Sequence, residues 1–240
     1  MTPHPAQASV DGTRRLAKLA MIAMGAVGGL EALVCLFNDL DAPGILCQLL
    51  CYAAWIAAAV LYCRWLYRAY GDVALLQGTV RFKPGEAVAS FFLPFVGLWR
   101  PYRVMVELYE ASDPRGLPSP GGGLTAGDSA PVVEKAFPVR SWWAAWLLAP
   151  VATGILENVS SLSTAITLLS NVDKLTTDPT ALLVSQESAG GDGLLRFFSA
   201  IIHLGLAARA ILVVRGVAAR QGERLRRLEM SAAAAPALAP

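Results

Sequence analysis

APGILCQLLCYAAWIAAAVLYC, residues 42–63, runs for 22 residues without a charged side chain. A helix needs about 20 mostly apolar residues to cross about 30 Å of hydrocarbon, so this stretch reads as a membrane span. Three others follow the same rule less cleanly. Residues 19–38 are interrupted only by Glu31. Residues 142–156 are uncharged; Glu157 follows, then a further uncharged run to Val172. Residues 194–217 carry Arg196, His203, Arg209 and Arg215 and are the weakest by hydropathy. The expected fold class is therefore all-α: an integral membrane protein with four transmembrane helices at 19–38, 43–66, 141–165 and 194–217. Composition agrees. Of 240 residues 55% are apolar and 16% charged, with a mean hydropathy of +0.49, where soluble domains carry about 25% charged residues.

Cytoplasmic flanks of membrane helices are enriched in Lys and Arg. Arg14, Arg15 and Lys18 precede the first span, and Arg64, Arg68, Arg81, Lys83, Arg100 and Arg103 follow the second. Lys135 and Arg140 precede the third, and Arg220, Arg224, Arg226 and Arg227 follow the fourth. The other two connections are poor in positive charge and hold Asp39 and Asp41, then Asp173, Lys174, Asp178, Glu187 and Asp192. All basic flanks fall on one side, which supports the fourth span. It also places both termini in the cytoplasm of a cell whose inner membrane holds the protein. The first apolar run reaches Phe37 with no A-x-A-like site after it, so it reads as a retained anchor rather than a cleaved signal. A net charge of +2 gives no argument for nucleic acid.

Between the second and third spans, residues 86–112 read as an interfacial or re-entrant segment. Its first part, 87–99, is uncharged and holds Phe91, Phe92, Phe95 and Trp99; its 13 residues would cover only about 20 Å as a helix. Pro94 and Gly97 would bend it. Pro101 then opens an amphipathic cytoplasmic helix with Tyr102, Met105, Leu108 and Tyr109 on one face. Residues 113–134 read as a Gly- and Pro-rich linker, 166–193 as a loop on the far side, and 1–15 as a disordered tail. Residues 219–240 read as a basic, then disordered tail.

Ionisable groups within spans are costly and are by default site candidates: Glu31, Glu157, His203 and Arg209. At about 1.5 Å per residue Glu31 and His203 both lie roughly 18 Å from the cytoplasmic ends. Together they could relay protons or hold an ion, or simply form a structural bond between helices. Arg209 lies about 9 Å in, shallow enough to snorkel, and Glu157 lies near the outer face. Gly25, Gly28, Gly29 and Ala32 form a small-residue face that lets another helix approach. Trp142, Trp143 and Trp146, with Trp65, Tyr67 and Trp99, read as an interfacial belt, with ligand stacking as the sharper alternative. The C-terminal arginines read as topology signals touching anionic lipid. Cys47 and Cys51 share a helix face but have no His or Cys pair to complete a metal site, so they read as buried apolar residues. With two histidines and no G-x-S-x-G, H-E-x-x-H or Walker loop, neither enzyme activity nor a metal or cofactor is expected.

RWLYRA (64–69), FKPG (82–85), FLPF (92–95), LWRPY (98–102), ELYEAS (107–112) and WWAAWL (142–147) occur in that order. Together they resemble the bacterial domain-of-unknown-function family numbered 4328, over roughly residues 51–162. Trp65, Arg68, Pro84, Gly85, Pro94, Arg100, Pro101, Trp142 and Trp143 carry the resemblance. Relatives usually show a Ser-Pro-Gly-Trp-like stretch and an Asn near the Leu-x-Arg-Pro turn; Lys83, Glu86 and Gly97 stand at those places here. The resemblance implies a multi-helix bacterial membrane protein and carries over no catalytic residue. The expected role is non-enzymatic: a scaffold, sensor or accessory component whose segment 64–140 meets a cytoplasmic or membrane protein, or the inner leaflet of the bilayer. The alternative is a small homo-oligomeric transporter or ion-handling protein using Glu31 and His203. A lipid-directed enzyme would have only Asp72, Glu86 and Glu107 to work with on that side.

Overall fold

The computed structural model describes residues 5–37, 44–76, 78–93, 95–114, 137–170 and 193–234, and every regular element among them is helical. In order they are α1 (Pro5–Phe37), α2 (Gly44–Leu75), α3 (Pro84–Ala89), a 3-10 turn (Val96–Leu98), α4 (Arg100–Ala111), α5 (Phe137–Ser170) and α6 (Gly193–Ala234). The four long helices have 33, 32, 34 and 42 residues, so each runs about 48–63 Å and overshoots a bilayer core. Among the described residues three stretches, Ala6–Val34, Leu49–Leu75 and Leu194–Ala233, are long and apolar enough to cross a membrane. α1 packs chiefly between α2 and α6, and α5 packs on α6 and α4.

The ends at which α1 and α5 begin and α2 and α6 finish form a packed base. Into it α2 sends Trp65, Leu66, Ala69, Tyr70 and Val73, α5 sends Val139, Trp142 and Trp143, and α6 sends Val213, Val214 and Val217. α4 closes this base with Val104, Met105, Leu108 and Tyr109. Away from it, Ile22, Ile56, Leu148, Ile155 and Ile201 are exposed. Lipid tails are as apolar as leucine, so exposed apolar side chains of this kind suit a bilayer.

Two expectations give way here. α1 begins at Pro5, where a loose tail over 1–15 was expected, because Ala6, Val10, Thr13, Ala17 and Ala20 are buried at helical spacing. A low-complexity composition hid a narrow buried stripe. Likewise α6 continues to Ala234 through most of the tail expected over 219–240, with Gln221 and Arg224 buried. The linker 113–134 and the loop 166–193 lie largely outside the described residues.

The C-terminal arginines also differ from expectation. Arg224 turns inward: its Nε donates to the Leu76 carbonyl at 2.7 Å, and its Nη1 to the carbonyls of Ala111 at 3.1 Å and Asp113 at 2.7 Å. Gln221 donates to the Ala69 carbonyl at 2.8 Å. Arg220 donates to the Tyr109 carbonyl at 3.2 Å, stands over that ring at 3.7 Å and pairs with Asp113 at 3.6 Å. The last carbonyls of a helix lack partners within it and favour a cation, so α6 serves the C-terminal ends of α2 and α4. Arg226 and Arg227 stay outside and pair with Glu223 at 2.8 and 3.2 Å.

α4 buries the face expected of it, with Tyr102 half-exposed. Tyr70 holds it by donating to the Val104 carbonyl at 2.7 Å, and Tyr62 by donating to the Met105 sulfur at 3.2 Å. Before α4, residues 91–93 and 95–99 make a tight apolar tip. Phe95 stands there with φ +61° and is 80% exposed; a non-glycine residue in that region is strained by about 1–3 kcal/mol.

Candidate functional site

Between the helices, on the outer side of the base, lies a cavity of about 310 Å³. Each long helix lines it with one face. α1 offers Met24, Val27, Gly28 and Glu31; α2 offers Trp55, Ala58, Ala59, Tyr62 and Cys63; α6 offers His203, Leu206, Ala207 and Ala210. All three strips have the spacing i, i+3, i+4, i+7, two helical turns and about 10 Å deep. Trp142 and Trp146 of α5, with Phe91 and Phe92 of the tip, complete the wall. Among the lining residues Trp55 is 47% and Phe92 68% exposed.

Gly28 shapes the back of the cavity. A Cβ there would come 2.6 Å from Ala207 Cβ and 3.4 Å from the His203 carbonyl oxygen. The small-residue face thus works through this position, while Gly29 has nothing within 4 Å. Because α1 and α6 run in opposite directions, this contact brings Glu31 and His203 to the same end of the cavity. Each is hydrogen-bonded elsewhere. The Glu31 carboxylate accepts from Trp55 Nε1 at 3.0 Å, and His203 Nδ1 lies 2.8 Å from the Ser199 carbonyl. A carbonyl only accepts, so Nδ1 is the donor in that bond.

The other sequence candidates scatter. Arg209 is exposed on α6 and lines no part of the cavity. Glu157 falls in α5, and its side chain lies outside the described residues, as does Pro94. Trp65 is fully buried in the core. Arg68 lies over Gly12 of α1, its Nη1 3.0 Å from where a Cβ would stand. Pro84 opens α3, Gly85 is exposed, and Pro101 is buried in the first turn of α4. Arg100 stands 5.0 Å over the Phe82 ring. Trp142 and Trp143 are buried, and only Trp142 reaches the cavity, with Trp146, whose ring stacks on Trp143 at 4.9 Å. Cys51 is buried and Cys63 lines the cavity; the Cys47 side chain lies outside the described residues.

Sequence reasoning missed Trp55 as the partner of Glu31, although its spacing of seven from Tyr62 within an alanine-rich span was a signal. The three acids considered for lipid chemistry stand apart in structural roles. Asp72 accepts from Ser9 Oγ at 2.6 Å, Glu107 bonds the Arg81 N–H and Tyr70, and Glu86 accepts from the Lys83 N–H at 3.4 Å.

Residues 37–219 match the domain of unknown function DUF4328. The chain belongs to this family. The DUF4328 match takes in α2 to α5 and α6 as far as Ala219, including Trp55, Trp142 and His203. Glu31 and Gly28 of α1, and Arg224, lie outside it. No curated protein and no solved structure matches the chain.

Proposed function

We propose that this DUF4328 chain is a four-span protein of the bacterial inner membrane, with both termini cytoplasmic, that acts by binding rather than by catalysis. In this reading it is a sensor or accessory component: the cavity takes a lipophilic molecule from the bilayer, and the base beneath it presents that state to a partner protein. The observation that carries the reading is the cavity itself, walled by four helices and floored by residues that pack the base. Its size falls at the small end of ligand pockets, about 300–1,000 Å³. The 34-residue α5 has the length for the fourth crossing. The strained, exposed Phe95 and its neighbours Phe92, Leu93, Leu98 and Trp99 suit a tip dipping into the inner leaflet. A reporter fused after Ser112 is then expected to read as cytoplasmic; a periplasmic reading overturns the topology.

The ligand reading is tested on purified protein in lipid nanodiscs with an apolar phenyl-diazirine photolabel. Labelling of Met24 and Tyr62 is expected to saturate, while labelling of the exposed Ile22 and Leu148 rises linearly with concentration. Linear labelling at every position removes the binding site. The presence of Glu31 and His203 on one cavity favours one second reading, an oligomeric transporter that exchanges its ligand for protons, and net flux in reconstituted vesicles would select it.

A further inference from the structure

We infer that the cavity takes a small lipophilic cation, an aryl- or alkylammonium, with Glu31 as its counter-charge. This rests on the reading of the cavity as a ligand site. Glu31 is the one carboxylate among the lining residues, and no lysine or arginine joins it there. Its partner is a neutral indole N–H, and among the described residues no ion pair reaches it. A carboxylate in apolar surroundings is costly unless a cation accompanies it.

His203 does not pair with Glu31; its Nδ1 donates instead to the Ser199 carbonyl of its own helix at 2.8 Å. The remaining walls supply six aromatic rings, from Trp55, Tyr62, Phe91, Phe92, Trp142 and Trp146. Cations are attracted to such ring faces, most strongly where water is excluded. One acid, several ring faces and otherwise aliphatic walls are the chemistry that recognises a cation carrying apolar substituents. The volume of about 310 Å³ limits the ligand to a single small molecule and excludes a whole phospholipid.

The test uses the nanodisc-embedded protein and a matched pair of competitors against the photolabel. Benzyltrimethylammonium is the cation, and neopentylbenzene has the same shape without the charge. Benzyltrimethylammonium is expected to protect Met24 and Tyr62 at a concentration roughly tenfold lower or more. Glu31→Gln, which keeps an acceptor for Trp55, is expected to erase that preference while neopentylbenzene protects as before. Equal protection by the two compounds in the unaltered protein overturns the cation inference and leaves the lipophile site standing. A preference that survives in Glu31→Gln overturns the role of Glu31. Saturable labelling that is missing altogether sinks the site, and the cation inference with it.

Discussion

Arg224→Met is expected to destabilise the protein by on the order of 3–5 kcal/mol and to loosen the base. Three carbonyls, those of Leu76, Ala111 and Asp113, lose their donor at once. Each buried acceptor left without a partner costs about 1–3 kcal/mol. Methionine fills most of the volume of the arginine stem, so the loss measures the hydrogen bonds rather than a cavity. Arg224→Lys should fall between, since an ammonium cannot reproduce the fork of the guanidinium. Arg226→Met is the control: its side chain is 67% exposed and its partner Glu223 keeps Arg227, so the change should stay within about 0.5 kcal/mol. Thermal unfolding in detergent reads the stability. Amide exchange over residues 100–111 reads the location, because α4 loses the donor that holds its C-terminal end. Unchanged protection of α4 would show that Arg224 does not hold the base together.

Gly28→Ala is expected to destabilise the α1–α6 contact by about 1–3 kcal/mol, the usual range for forcing a methyl group into a packed interface. The 2.6 Å approach to Ala207 Cβ cannot be relieved by rotating a side chain, so the two helices must part. Parting them also separates Glu31 from His203 and opens the back of the cavity. The double variant Gly28→Ala with Ala207→Gly moves the methyl group from one helix to the other and should recover most of the loss. Gly29→Ala, with nothing within 4 Å, should be neutral or stabilising by up to about 1 kcal/mol, since alanine is the better helix former. Unfolding midpoints of the four proteins check the set. Equal effects at positions 28 and 29 would mean that the helices do not meet at Gly28.

The all-helical architecture was legible in the sequence because hydrocarbon imposes a length. A charge-free run such as 42–63 has few alternatives to a helix that spans or nearly spans a bilayer. Glu31 and His203 could be set near one level because rise per residue is fixed, and both do line one cavity. The count of residues stopped there, since spacing gives height along a helix and not which face turns to which neighbour. That is why Trp55, opposite Glu31 on another helix, went unseen. The base was hidden for another reason. Hydropathy finds apolar surface without saying what it faces, and the base is packed as much by small and polar residues, Ala17, Ala20 and Ala69 with Gln221 and Arg224, as by its large apolar ones. An arginine that caps a neighbouring helix looks the same in sequence as one that faces phosphate.

The reach of α6 back to the base has a consequence for how the protein is made. Gln221 and Arg224 bond to residues 111–152 positions earlier in the chain, and among the described helices α6 leaves the ribosome after all the others. At roughly 5–20 residues per second, α4 waits on the order of 6–20 seconds for Arg224 to be synthesised. During that interval the carbonyls of Leu76 and Ala111 lack the Arg224 donor, and the apolar face of α4 has an incomplete seat. Biogenesis therefore contains a built-in pause, set by translation rather than by folding rate, in which the half-made protein depends on whatever else can shelter that face.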